Sequence, residues 1–287
     1  MANQEYLALL HRGVGVWNQW RQKNLNIEPD LSEANLRGTN LQGINFQGVN
    51  LRGANLCLTQ LMSANLSNAN LVSAQLINAN LTYVNFSGAN LSNANLISSE
   101  LKLANLVEAD LVNSNLIGTD LQKANCRCAN LSCADLSRSN LAEADLIEAN
   151  FSNANLSYAN LYKAELIGAY CYKTNLYKAN LIGAHLSGIY LLHASFKKAN
   201  LYRADFRFAN LKKVNFQQAN LREAYLRGAN LSKANLSGAD LSGTYFRGAN
   251  LNKVNLTDAL IDNINLDDAN LQEAIMPDSQ IKINYNY

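Results

Sequence analysis

The sequence predicts a solenoid, a repeat fold in which one short unit is stacked many times. Three observations lead to this prediction: an apolar residue recurs at every fifth position, a small residue recurs with the same period, and glycine and asparagine occupy fixed places in each five-residue unit. A period of five fits neither the helical repeat of about 3.6 residues nor the alternation of a strand. The chain therefore has to turn once in every unit.

The large apolar positions run from Leu31 to Leu271 without a change of phase. They number 49 and hold 39 Leu, 7 Phe, 2 Cys and one Ile. A second restricted position lies three residues after each of them, from residue 34 to residue 274, and it is Ala in 34 cases and Thr, Ser, Val or Ile in the others. One large and one small side chain of each unit are therefore expected to point into a core.

The turn residues also keep fixed places. All 13 glycines after Gly15 lie two residues after a large apolar position, where a corner with positive φ is expected. Asn or Asp stands just before the large position in 38 of the 49 units. Short amide and carboxylate side chains readily hydrogen-bond to a turning backbone, so this place is expected to support the corner.

The stretches "ANLSNANLVSA", "ADLSRSNLAEADLIEAN" and "ANLREAYLRGANLSKANLSGADL" resemble the pentapeptide-repeat family, whose motif is a tandem A(N/D)LXX. The resemblance covers most of the chain, residues 31–275. It implies an all-β fold, a right-handed quadrilateral β-helix of about 12 coils with four pentapeptides in each coil. The Leu and Ala positions would point inward and the other three outward. Members characterised so far are mostly binding proteins, which implies a binding function here.

A coil of four pentapeptides has independent support in the outward positions. Tyr170 and Tyr190 replace Asn at the same place in units that lie four units apart, and Tyr225 and Tyr245 do the same. A third series with this spacing is formed by Arg207, Arg227 and Arg247. Stacked coils would place the members of each series in one column, about 4.8 Å apart as in paired strands.

The N-terminal residues 1–30 predict a cap. An open end of a β-helix exposes core side chains and unpaired strand edges, and it needs a cover. One or two short amphipathic helices are expected, with Gly13 and Gly15 at a break. Their apolar residues at helical spacing are Tyr6, Leu7, Leu10, Val14, Trp17 and Trp20.

At the other end, residues 276–287 are expected to close the last coil as an irregular tail after the β-helix of residues 31–275. Both prolines, Pro29 and Pro277, lie just outside the repeats, and Met276 and Ile281 keep the phase of the large positions. Either end is alternatively a docking or dimer surface.

Composition predicts a cytoplasmic protein without a membrane span. The N-terminus lacks a basic region followed by an uninterrupted apolar one, and no later stretch reaches the roughly 18 apolar residues of a span. The formal net charge is only +2, so no global attraction to nucleic acid or to an acidic membrane is expected.

No catalytic, cofactor or metal site is expected. Cys126 and Cys171 stand at large inward positions, whereas Cys57, Cys128 and Cys133 stand at outward ones. No CxxC pair occurs, so reduced structural thiols are predicted, with a weak metal site at Cys128 and Cys133 as the alternative. The three histidines are scattered, and a convex rod offers no cleft for catalysis.

The outward charges are banded along the chain. Residues 151–250 carry 13 Lys or Arg against 4 Asp or Glu, together with nine of the 13 tyrosines. Folded at four pentapeptides per coil, this band predicts two neighbouring walls. One wall shows His185, Arg207, Phe208, Tyr225, Arg227, Tyr245 and Arg247. The next shows Tyr170, Tyr172, Lys173, Tyr190, His193, Lys212, Lys213 and Lys233.

Aromatic residues among cations are typical of protein interfaces and of some nucleic-acid surfaces. The favoured function is a non-catalytic scaffold that presents a rigid surface to a protein partner. Contact with nucleic acid through the basic walls is an alternative, and so is protection of a topoisomerase by DNA mimicry, which would require a strongly acidic surface. A solvated basic wall that binds nothing also fits these residues, because like charges in water repel only weakly.

Overall fold

The computed structural model describes residues 2–24 and 26–277. Two short helices, α1 (Gln4–His11) and α2 (Val14–Lys23), precede the repeats. From there on, isolated parallel β-bridges join residues that always lie four pentapeptides apart, from Asp30↔Asn50 to Asn255↔Ile275. Four pentapeptides therefore make one coil, and each coil lies directly on the one before it.

Each pentapeptide is held to the next coil by its backbone. Leu36 N–H donates to Asn55 O at 2.8 Å, and Asn55 N–H donates back to Ala34 O at 2.9 Å. The turn itself is closed by a bond such as that from Ala54 N–H to Leu51 O, at 3.0 Å. This pattern repeats in the described coils, so the ladder saturates backbone donors and acceptors inside the rod.

The predicted corners are confirmed. The residue two places after every large position, from Glu33 to Glu273, has a φ between 52° and 71°. An i to i+3 bond with positive φ at its third residue is characteristic of a type II turn. Only 13 of these residues are Gly, although positive φ costs an L-residue roughly 1–2 kcal/mol. The ladder on both sides overrides this local preference.

The core is the inward file of large and small residues. Large positions from Leu31 to Leu256 are at most 4% exposed. Where Ala is replaced by Ser or Thr, the buried hydroxyl finds a backbone acceptor: Ser99 Oγ–H donates to Leu96 O at 2.7 Å, and Thr174 Oγ1–H donates to Phe151 O at 2.8 Å. The small position therefore tolerates a hydroxyl without an unsatisfied polar group.

The helices cover the N-terminal end of the rod, with Trp17 fully buried against Phe46 at a ring-centroid distance of 5.4 Å. Side chains of α2 also bond to the edge of the first coil: Trp17 Nε1–H to Asn45 O (2.7 Å), Asn18 Nδ2–H to Gly43 O (3.0 Å) and Arg21 to Gln47 O (2.7 Å). These carbonyls would otherwise be an open strand edge. Burial lowers the pKa of Arg21.

The C-terminal tail predicted for residues 276–287 lies largely outside the described residues, and Ile281 is among those not described. Met276 is described and packs against the end of the core.

Candidate functional site

Four columns of bridge residues divide the rod into four faces, each made of the pentapeptides that begin at one column. Between residues 150 and 259, the first face begins at Asn150, Tyr170, Tyr190, Asn210, Asn230 and Asn250, and the second begins one pentapeptide after each of these. The third face begins at Asn160, Asn180, Asn200, Asn220 and Asp240, and the fourth at Glu165, His185, Asp205, Tyr225 and Tyr245. The fourth face is followed along the chain by the first, so the two walls predicted from the sequence are neighbours.

The Asn and Asp residues of these columns support the outward side of the backbone. In all 38 units that have Asn or Asp before the large position, its Oδ1 accepts the N–H two residues later, at 2.9 to 3.4 Å. Many also donate from Nδ2 to the coil before, as Asn180 does to Asn160 at 2.9 Å. The outer wall is thus held by a backbone cap in each of these units and, in part of them, by a side-chain hydrogen bond between coils.

Tyrosines interrupt this pattern on the first and fourth faces. Tyr170 and Tyr190 stack with ring centroids 5.2 Å apart and an angle of 5° between their planes, and Tyr225 and Tyr245 stack at 5.2 Å and 6°. The predicted columns are therefore confirmed for both pairs. Tyrosine has no Oδ1, so neither pair caps the backbone N–H two residues later. Ring stacking therefore takes the place of side-chain hydrogen bonds between coils, but it does not replace the cap.

A groove runs beside the first pair of tyrosines. Its volume is about 240 Å³, and the residues that line it are Ser152, Tyr170, Cys171, Tyr172, Tyr190, Leu192 and Asn210. Tyr172 is 41% exposed and lies edge-on to His193, at 6.2 Å between ring centroids. Lys173 Nζ lies 5.2 Å from the centre of the Tyr172 ring.

A file of basic residues follows one corner of the first face. Lys173, His193, Lys213 and Lys233 occupy the same corner in successive coils, and Lys212 adjoins them. The file continues to Lys253, which pairs with Glu273 at 3.3 Å. Among the described residues, Lys173, Lys212, Lys213 and Lys233 form no ion pair. Their charge therefore faces solvent without a neutralising partner.

Cations of the fourth face are mostly neutralised within the chain. Arg207 pairs with Asp205 at 2.6 Å, and Arg247 with Asp268 at 3.7 Å. His185 Nδ1 lies 2.8 Å from Glu165 Oε1. Burial alone would raise the pKa of Asp205, but hydrogen bonds from Arg207 outweigh it and leave the pKa below its usual range. The two walls thus differ in available charge although both looked basic in the sequence.

Phe208 is the most exposed large apolar side chain of the fourth face, at 68%. Its ring lies over Gly228: a Cβ added to that glycine would lie 2.8 Å from Cδ1 of the ring. Gly248, one coil further, has nothing within 4 Å of such a Cβ.

This pair of glycines gives a matched prediction. Gly248→Ala is expected to lower the free energy of unfolding by about 1–2 kcal/mol, because alanine must take up φ +66°. Gly228→Ala meets the same penalty and also pushes the Phe208 ring off its rotamer, for roughly 0.5–1.5 kcal/mol more. Denaturant unfolding of both variants measures the difference. Equal losses would contradict the contact.

Sequence reasoning missed an aromatic cluster on the second face. Lys178 Nζ lies 5.4 Å from the centre of the Tyr158 ring and 5.5 Å from that of Tyr177, and the two rings meet edge-on at 5.6 Å. The available signal was that Tyr158 and Lys178 hold the same place in units four apart. On the third face, Arg203 bonds to Glu223 at 2.7 Å.

All five cysteines are free, and one of those at an outward place is covered by its neighbours. Cys57 stands at an outward place and is nevertheless only 7% exposed. Its column neighbours are Arg37 and Ile77, and a short side chain between two longer ones is covered by them. Within the described residues, no group of His, Cys, Asp and Glu is arranged to hold a metal ion.

Thiol labelling tests this arrangement. Burial raises the pKa of both Cys126 and Cys171 to about 12, so neither is expected to react with iodoacetamide at pH 8 in the native protein. Cys133 is exposed and is expected to react. Cys128 is also exposed, but partial desolvation of its thiol and the hydrogen bond to the Glu148 carboxylate raise its pKa, so it should react more slowly than Cys133. All five should react in denaturant, and native labelling of Cys126 would contradict the inward assignment.

Comparison with known proteins identifies the repeats. The model of the family "Pentapeptide repeats" matches repeatedly along the chain, over residues 30–56, 59–96, 99–137, 134–170, 174–212, 209–248 and 249–282. The chain belongs to the pentapeptide-repeat family. Proteins of this family form right-handed β-helices, and they are generally structural or binding proteins rather than enzymes.

Solved structures of this family match the chain. HetL, a pentapeptide-repeat protein involved in heterocyst differentiation regulation from the cyanobacterium Nostoc sp. strain PCC 7120, is 29% identical, with 92% of this chain and 97% of that chain covered and a TM-score of 0.24. QnrB1, a plasmid-mediated fluoroquinolone resistance protein, is 22% identical, with coverages of 64% and 90% and a TM-score of 0.27. Rfr23 from the cyanobacterium Cyanothece 51142 is 26% identical, with coverages of 54% and 88% and a TM-score of 0.20.

No curated protein sequence matched. Neither helix in the described part of the chain is long and apolar enough to cross a membrane.

Proposed function

We propose that this pentapeptide-repeat protein is a non-catalytic binding protein that presents a lysine-rich half of a rigid rod to an acidic surface of a protein partner. In this proposal the rod has a square cross-section and about 12 coils, so the first and second faces together form half of its circumference. The proposed setting is the cytoplasm, which suits five cysteines that are all free.

The distribution of carboxylates between the faces is the observation that carries this proposal. Between residues 150 and 257, the first and second faces contain no Asp or Glu. They contain eight lysines: Lys173, Lys178, Lys197, Lys198, Lys212, Lys213, Lys233 and Lys253. The third and fourth faces of the same coils hold all five arginines and all four carboxylates of residues 151–250.

An excess of one charge on a rigid surface has a physical consequence. Each uncompensated lysine adds to a positive potential that extends over a Debye length, about 8 Å at physiological ionic strength. Such a potential attracts a complementary patch and raises the rate of association. The exposed tyrosines among these lysines add apolar contact area at low entropic cost, as in protein interfaces.

Contact with nucleic acid is a weaker interpretation of the same residues. Arginine is the residue that best recognises phosphate, yet Arg207 and Arg247 are held by carboxylates of this chain. A DNA mimic needs an acidic surface, and the carboxylate-free faces have the opposite sign.

The experiment is recovery of partners from nuclease-treated native lysate. The wild type is compared with the triple variant Lys173→Gln, Lys213→Gln, Lys233→Gln. The matched control removes three positive charges from the third face, by Lys163→Gln, Arg203→Gln and Arg222→Gln. We expect the lysine variant to lose a protein that the wild type and the control both retain, and the loss should be reproduced in the wild type by raising salt. Equal recovery by all three, or loss of the bound material on nuclease treatment, would overturn the proposal.

A further inference from the structure

The eleven units without Asn or Asp before the large position lack the Oδ1 cap of the outward N–H, and two of them, at Tyr172 and Leu192, lie in successive coils of the first face. Each of the 38 units with Asn or Asp caps its outward N–H through Oδ1. At Tyr172 and Leu192 the capping residue is replaced by Tyr170 and Tyr190, and no acceptor for either N–H is found among the described residues. The N–H groups of the neighbouring units, at Ser152 and Lys212, are capped at 3.0 and 3.4 Å.

The residues of these two donors line the aromatic groove. Tyr172 and Leu192 share the lining of the 240 Å³ space with the stacked Tyr170 and Tyr190. Cys171 is buried, whereas the rings themselves are half exposed, Tyr170 at 52% and Tyr190 at 51%. A hydrogen-bond acceptor that enters the groove would meet backbone N–H groups whose positions are fixed by the ladder. The surrounding rings would partly exclude water from such a bond.

The rims of the groove differ from each other. On the side of Tyr172, the corner carries Lys173 and His193, followed along the same file by Lys213. On the side of Tyr170, the nearest corner residues are Gly168 and Gly188, which carry no side chain. The corner beside Tyr172 therefore carries the charge of Lys173, whereas the corner beside Tyr170 carries no side chain that would hinder an anionic chain.

We propose that the groove binds an aspartate or glutamate side chain from an extended acidic segment of a protein partner. A carboxylate oxygen of that residue accepts the N–H of Tyr172 or Leu192, in the place that Asn Oδ1 takes in other units. Neighbouring carboxylates of the same segment pair with Lys173 and Lys213. The inference rests on the proposed function and adds the chemical class of the bound segment.

A carboxylate matches this place better than a phosphodiester does. The outward N–H suits a planar sp² oxygen carried on a short side chain, because that is what Asn and Asp provide in the 38 capped units of the rod. One face of each tyrosine ring is turned toward the other ring in the stack, and the column continues beyond them with Asn150 and Asn210, so a nucleobase does not find a free pair of ring faces. Lysines, rather than arginines, line the rim.

Reversion to the repeat motif provides the test. In Tyr170→Asn with Tyr190→Asn, the new amides cap both donors and remove the rings, while the fold keeps its commonest residue at both places. The matched control is Tyr225→Asn with Tyr245→Asn, which makes the same change on the fourth face. Thermal unfolding should show that both variants remain folded.

Binding is measured by fluorescence anisotropy with a labelled hexaglutamate peptide at low salt, and with a labelled twelve-residue oligo-dT for comparison. We expect the wild type and the fourth-face control to bind hexaglutamate equally. The first-face variant should bind about tenfold more weakly or worse, as loss of a hydrogen bond to a charged group implies. Lys173→Gln with Lys213→Gln should weaken binding and reduce its salt dependence.

Three results would overturn the inference: no hexaglutamate binding by the wild type, unchanged binding by the first-face variant, or preference for oligo-dT that the first-face variant abolishes. Failure of the groove is distinguishable from failure of the proposed function. One outcome supports the proposed function and contradicts the groove. In it, Tyr170→Asn with Tyr190→Asn binds hexaglutamate like the wild type, but the triple lysine variant does not recover the partner from lysate.

Discussion

Replacing Trp17 by Ala is expected to lower the free energy of unfolding by about 3–5 kcal/mol, the usual cost of deleting a large buried aromatic side chain. Trp17 is fully buried, meets Phe46 edge-on at 5.4 Å, and donates from Nε1 to Asn45 O at 2.7 Å. The variant loses the apolar contact and also leaves the edge carbonyl of the first coil without its donor.

Trp17→Phe is the matched control, because it keeps most of the ring and removes only the N–H. Its expected cost is about 1–3 kcal/mol, the penalty for an unsatisfied buried acceptor with a small loss of volume. Guanidinium unfolding followed by far-ultraviolet circular dichroism measures both variants. A loss below about 1 kcal/mol for Trp17→Ala would mean that the helices do not stabilise the end of the rod.

The second large effect is expected in the middle of the rod. Phe206→Ala should lower the free energy of unfolding by about 3–5 kcal/mol. Phe206 is fully buried and lies 5.9 Å from both Phe196 and Phe216, which themselves stack at 5.2 Å. Alanine here opens a cavity among three rings of two adjacent coils, and the ladder on either side prevents its collapse.

Phe208→Ala, two residues further along, is the control for this prediction. Phe208 is 68% exposed, so its removal is expected to change the free energy of unfolding by less than about 0.5 kcal/mol. Hydrogen exchange should show the loss of protection in Phe206→Ala centred on the coils of Phe196, Phe206 and Phe216, since each repeat contacts only its neighbours. Similar losses for the two variants would contradict the assignment of inward and outward places.

The core could be predicted from the sequence because its signal repeats in every unit. One large and one small residue in each unit of five indicate buried positions, and the spacing of Tyr170 and Tyr190 indicates the column of stacked coils. The apolar signal recurs in 49 units, so a single exception such as Cys126 does not disturb the interpretation. Local preference and global stacking agree at these positions, which is the condition under which sequence reasoning succeeds.

The surface was harder to predict because its chemistry depends on neighbours across coils. Counting charges along the chain placed Arg207 and Lys213 in one basic band, yet Asp205 neutralises the first and no described carboxylate neutralises the second. Only the assignment of Arg207 to the fourth face and of Lys213 to the first face separates the two residues. Cys57 illustrates the same limit, since its burial depends on the side chains one coil above and below rather than on its own place in the unit.

The repeat pattern carries no information on partner binding by the groove or by the lysine-rich first and second faces. Every unit can carry any outward residue, because the corner keeps its positive φ with Lys, Phe or Gly alike. Function in such a protein resides in departures from the motif. Tyr170 and Tyr190 are such departures, and so is the missing acceptor that they create.

The bridges between residues four pentapeptides apart also set a rule for how this gene can change length. Insertion or deletion of one pentapeptide would preserve the core but rotate everything beyond it by one face, so that a surface spanning the breakpoint would be split between two sides of the rod. Gain or loss of four pentapeptides would keep every downstream residue on its own side and only alter its height. Descendants that retain a shared binding surface should therefore differ in length by whole coils, whereas changes by a single pentapeptide mark lineages in which that surface was abandoned or rebuilt.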